Sequence, residues 1–108
     1  MGLFNKSSYK SITTDEAKTA LNTDKNIILL DVRTPAEYRQ GHIPNSTLIP
    51  VDEFQKALNE LKNKDAKIFV YCRSGARSAT ASKMLANWGY TDVSNVLGGI
   101  SAWKYEIE

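Results

Sequence analysis

Four consecutive aliphatic residues, Ile27-Ile28-Leu29-Leu30, lead into Asp31-Val32. The run lacks the alternation of a half-buried strand and is far too short for a membrane span. It suits a strand covered on both faces, which requires helices above and below a sheet. Ile68-Phe69-Val70-Tyr71-Cys72 is a second run of the same character. Asp92 to Leu97 is a third, ended by Gly98-Gly99, and Thr47-Leu48-Ile49 and Tyr9-Lys10-Ser11-Ile12 are shorter fourth and fifth candidates.

Helical patterns fill the intervals. Thr13 with Glu16 spells a capping box, with Ala17, Ala20 and Leu21 following at helical spacing. Thr34 with Glu37 spells another, with Pro35 at the first helical position and Gly41 at the expected stop. After Pro50, Phe54, Leu58 and Leu61 predict one apolar stripe; Ala81, Leu85 and Trp88 predict another on a helix that Gly89 ends. Ile100 to Tyr105 reads as a last short helix. Strands alternating with helices imply an α/β fold, a parallel sheet with helices on both faces. With no repeat, low-complexity segment or linker, the 108 residues read as one domain over positions 1–108, its core about 9–105.

A formal net charge of +2 is too mild to argue for nucleic acid or a membrane surface. The single cysteine has no internal disulfide partner, and an unpaired thiol fits a reducing compartment. Met1 to Ser8 offers only Leu3-Phe4 as an apolar pair, which is no signal-peptide core. Gly2 would invite myristoylation, but Lys6 stands where that motif wants Ser or Thr. The expected location is the cytoplasm.

From Ala66 through Thr91 there is no acidic residue, while Lys67, Arg73, Arg77 and Lys83 all fall there. A solvated basic face is the plain explanation; a site built for an anion is the other. Cys72 sits inside that window, where Val70-Tyr71-Cys72-Arg73-Ser74-Gly75-Ala76-Arg77-Ser78 runs from a strand into a helix. Ligands of open α/β sheets bind at the carboxyl ends of strands. Unpaired backbone N–H groups at the helix start favour negative charge, and Gly75 lets several of them converge. A free thiol has a pKa of about 8.5, and helix N-terminal charge lowers it by up to about 1.5. Arg73 and Arg77 push the same way. A lone cysteine is commonly an inert core residue. Here, however, Arg77 opposes the helix dipole and Arg73 has no acid near it in sequence, so both make sense beside an anion the protein does not itself supply.

These residues resemble a known family. Cys72-Arg-Ser-Gly-Ala-Arg77 is similar to the active-site loop of single-domain rhodanese-like sulfurtransferases. Leu30-Asp31-Val32-Arg33-x-x-x-Glu37-Tyr38-x-x-Gly41-His42-Ile43-Pro44 resembles the family's upstream signature, and Val96-Leu97-Gly98-Gly99-Ile100-x-x-Trp103 its C-terminal one. The similarity runs from about Tyr9 to Trp103. It implies a three-layer fold with a five-stranded parallel sheet, and two-step sulfur transfer. Cys72 would take the outer sulfur of a small anionic donor such as thiosulfate as a persulfide. Cyanide, a thiol or a protein acceptor would then remove it, with no metal or organic cofactor. Backbone N–H groups of Arg73, Ser74, Gly75, Ala76 and Arg77 would hold the persulfide.

In the family's two-domain thiosulfate enzymes two basic residues follow the cysteine directly. Here Arg73 is followed by Ser74, so the physiological donor stays open. Cysteine phosphatases and arsenate reductases place five residues between Cys and Arg; that position is Ser78, and Arg77 leaves four. A non-catalytic binding or regulatory module of the same fold is the other alternative. Asp31 and Arg33 leave a strand end near the loop and read as an ion-pair or loop-bracing network with Glu37 more readily than as substrate contacts. His42 reads as structural, since a thiolate stabilised by dipole and arginines needs no base. Trp88 and Trp103 read as core packing.

Overall fold

The computed structural model describes residues 8–108, so the readings of the leader and of Gly2 lie outside the described residues. The five strands are β1 (Lys10–Ile12), β2 (Ile28–Asp31), β3 (Thr47–Leu48), β4 (Lys67–Tyr71) and β5 (Asp92–Val96). They form one sheet in the order β1-β5-β4-β2-β3, and every pairing is parallel. The helices are α1 (Thr14–Thr23), α2 (Pro35–Gln40), α3 (Ala57–Glu60), α4 (Ala76–Asn87) and α5 (Gly99–Ala102), with a 3-10 segment (Val51–Lys56) entering α3. No helix among the described residues is long and apolar enough to cross a membrane.

The apolar strands are covered on both faces. Along β4 and just beyond it, Ile68, Val70 and Cys72 enter one core cluster with Phe54, Ala57, Leu61, Ala81 and Leu85. Phe69 and Tyr71 enter the opposite one with Ala17, Ile43 and Trp103. Each large side chain so buried contributes about 1.5–3 kcal/mol. Both capping boxes form reciprocally. Thr13 accepts from the Glu16 N–H and Thr34 from the Glu37 N–H, while each glutamate accepts from its cap's own N–H. Pro35 opens α2 and Gly41 closes it, as the spacing predicts.

Two expectations need correction. The stripe after Pro50 is Phe54, Ala57 and Leu61; Leu58 is exposed. The segment starts as a 3-10 helix with a non-helical residue at Glu53, and its tighter turn shifts which side chains meet the core. The last helix stops at Ala102 instead of Tyr105. There Trp103 turns extended, and its indole N–H donates to the Glu106 carbonyl at 2.9 Å. Trp88 caps the end of α4 and is partly buried, stacked near Phe54.

The register places the chemistry. Asp31 pairs with Tyr71 at the carboxyl ends of β2 and β4, and Val70 pairs with Asn95 on β5. Asp31, Cys72 and Asn95 therefore lie along one rim of the sheet.

Candidate active site

Cys72 leaves β4 and the chain turns through Arg73-Ser74 to Gly75, the N-cap of α4. Gly75 has φ +118°, a conformation L-residues rarely adopt, and that turn folds the loop back over the sulfur. The Gly75 N–H donates to Cys72 Sγ at 3.1 Å and the Ser78 N–H at 3.4 Å. The cysteine is only 1% exposed, so approach is confined to the opening of this cup. Burial pushes the Cys72 thiol up. The Ser78 side chain and the backbone N–H groups of Ser78, Gly75 and Ser74 outweigh that, leaving it below the ordinary thiol value. A raised thiolate fraction at neutral pH follows.

Of the two loop arginines, one departs from what its sequence surroundings suggest. Arg77 is not awaiting an external anion: its Nη1 and Nη2 donate to Glu37 Oε1 and Oε2 at 2.8 and 3.0 Å. The acid-free window is acid-free only along the chain, because the fold brings α2 against the first turn of α4. Glu37 is thus outside the Asp31–Arg33 network expected of it. The Arg77 guanidinium first, and the Thr34 N–H and hydroxyl with it, hold the Glu37 carboxyl down from an ordinary 4.5 to about 2. Arg73 is exposed and makes no ion pair among the described residues.

Asp31 and Arg33 form a buried pair. Arg33 Nη2 lies 2.7 Å from Asp31 Oδ2 and Nε 3.0 Å from Oδ1, and the Arg33 N–H also donates to Oδ1. Arg33 Nη2 donates further to the Gly41 carbonyl at 2.7 Å, tying the exit of β2 to the end of α2. Burial works against the Arg33 charge, but Asp31 outweighs it and the pKa is raised. His42 stacks on Tyr38 with centroids 3.7 Å apart, its Nδ1 2.9 Å from the Tyr38 carbonyl oxygen, which is a structural setting. Among the described residues no group of three or more His, Cys, Asp or Glu could hold a metal ion.

Three residues that sequence reasoning left out of the site shape it. Ser78, fully buried on α4, places its Oγ 2.5 Å from Asn95 Oδ1 and 3.1 Å from the Gly75 carbonyl. Asn95 Nδ2 reaches the same carbonyl at 3.4 Å, so β5 braces the loop from the adjacent strand. Gly99 is the third. The Ile100 and Ser101 N–H groups donate to the carbonyls of Cys72 (2.9 Å) and Arg73 (3.0 Å), and a Cβ on Gly99 would stand 2.3 Å from the Cys72 oxygen. The Gly98-Gly99 pair was visible in the sequence as a motif, whereas nothing local marked Asn95.

A family model described as "Rhodanese-like domain" matches residues 13–106. The "Sulfurtransferase" of Allochromatium vinosum is 39% identical over 92 residues, covering 85% of this chain and 85% of that protein. The "Putative sulfur carrier protein YrkF" of Bacillus subtilis is 36% identical over 104 residues; the match takes in 96% of this chain and spans 56% of the relative's length. A crystal structure of a rhodanese-like domain protein from Staphylococcus aureus superposes with a TM-score of 0.84. It is 43% identical, with 92% of this chain and 96% of that one covered.

Proposed function

The chain belongs to the rhodanese-like domain family, and from that membership we propose that it transfers sulfane sulfur through a persulfide on Cys72. One observation carries the reading: Cys72 Sγ, at the carboxyl end of β4, accepts backbone hydrogen bonds from Gly75 and Ser78 in a cup that lowers its pKa. A relative named as a sulfurtransferase supports a transferase in general.

With thiosulfate as donor, the Cys72 thiolate attacks the outer sulfur. The new S–S bond forms as the bond to the sulfonate sulfur breaks, and its electron pair leaves with sulfite. The Gly75 and Ser78 N–H groups, with those of Arg73, Ser74, Ala76 and Arg77 around the loop, offer the donors for a persulfide anion at this helix start. A thiolate or cyanide then attacks the terminal sulfur, forming a new persulfide or thiocyanate and returning the Cys72 thiolate. The exchange needs no external oxidant or reductant and draws on no metal or organic cofactor. The acceptor in the cell is a thiol, small or protein-borne, and the unpaired thiol suits the reducing cytoplasm.

Intact mass after incubation with thiosulfate tests this directly. A gain of one sulfur atom, with thiocyanate produced on adding cyanide, is the expected result. Cys72→Ser should abolish both and leave thermal unfolding unchanged. Full activity in that variant, or Cys72-dependent hydrolysis of aryl phosphates at a comparable rate, would overturn the reading.

A further inference from the structure

Three guanidinium groups lie on the loop or its supports, and two are already neutralised. Arg33 is held by Asp31, and Arg77 by Glu37 in a two-bond fork. Glu37 is not free to swing away. Its Oε1 also accepts from the Thr34 N–H at 2.9 Å and the Thr34 hydroxyl at 3.1 Å, which are the cap contacts of α2. Of the two cations that follow Cys72 in sequence, only Arg73, exposed beside the cysteine, is left without an ion-pair partner among the described residues.

We propose that Glu37 is a charge filter on this site, setting a preference for uncharged sulfane donors of the form R–S–SH over dianionic thiosulfate. A dianion must be matched by fixed cations when it leaves water, and Glu37 has already claimed Arg77. A protonated persulfide carries no such requirement. The Cys72 thiolate attacks its outer sulfur, the S–S bond to R–S breaks, and R–S⁻ leaves with the electron pair. This donor preference rests on the sulfur-transfer reading; the charge filter itself does not.

The test uses Glu37→Gln, which removes the charge while Gln can still serve in the capping box. The first readout is the ratio of Cys72 alkylation rates by iodoacetate and iodoacetamide, which differ in charge and require no sulfur chemistry. Glu37→Gln should raise that ratio roughly three- to tenfold, with the gain shrinking at about 1 M salt. Arg77→Gln should lower it, and this second variant keeps the proposal falsifiable if the first folds poorly. The second readout is kcat/KM for thiosulfate against the persulfide of mercaptoethanol, whose ratio should rise in parallel in Glu37→Gln. An unchanged alkylation ratio in folded Glu37→Gln or Arg77→Gln overturns the filter. A changed ratio in a protein that no donor loads with sulfur upholds the filter and sinks the sulfur-transfer reading instead.

Discussion

Replacing Gly99 by alanine strikes the site from behind. A Cβ there would lie 2.3 Å from the Cys72 carbonyl oxygen and 2.7 Å from that of Arg73. Both are backbone atoms, so no side chain can rotate aside. To relieve the contact to even 3.0 Å, the loop and α5 must part by about 0.7 Å. That movement loosens the two hydrogen bonds from Ile100 and Ser101, together worth about 1–3 kcal/mol. The φ of +54° adds about 1–2 kcal/mol for any residue with a Cβ. The reduced freedom of the unfolded chain returns about 0.4–1 kcal/mol. Gly99→Ala should thus cost about 1–5 kcal/mol. Gly89→Ala separates the two causes: it also has a positive φ, +98°, but its Cβ would meet only the Lys64 side chain, at 3.7 Å. Urea denaturation of both variants should show Gly99→Ala the costlier by about 1–3 kcal/mol. Cys72 alkylation should slow only in Gly99→Ala, because only there does the loop carrying the sulfur move. Equal costs with unchanged alkylation in both would refute the steric argument and reduce Gly99 to a backbone-conformation residue.

Ser78→Ala removes the side chain that, with the backbone N–H groups, holds the Cys72 thiol down, so its alkylation profile should move to higher pH; an unmoved profile would leave the N–H groups as the whole cause. Glu37, held down to about 2, contributes stability that is full above its ordinary 4.5 and lost as pH falls toward 2, so urea midpoints measured from pH 6 to pH 2.5 should fall more steeply in the wild type than in Glu37→Gln.

What could be read from the chain was what is encoded locally. The two capping boxes span four residues each, and their partners are found by counting. The doubly covered strands announce themselves by unbroken apolar runs. The Glu37–Arg77 pair was illegible because it joins residues 40 apart on separate elements, and charge spacing within one segment says nothing about what another segment brings. The acid-free window suggested an unmatched cation for that reason. The misplaced stripe after Pro50 has a different origin: a 3-10 start changes the angle per residue, so Ala57, too small to stand out in a pattern, takes the core position expected of Leu58. Asn95 was hidden by being one polar residue in a strand whose register with β4 only the assembled sheet defines.

The dependence of the Cys72 carbonyl on Ile100 and of the Arg73 carbonyl on Ser101 also orders events during translation. The segment bearing the thiol leaves the ribosome well before the segment that fixes its shape, and β1 likewise waits for β5, with Lys10 opposite Ser94. Such distant pairings close late in folding. A nascent chain halted before Gly98 therefore carries the cysteine and its Gly75 and Ser78 N–H donors without the two hydrogen bonds that clamp the loop from behind.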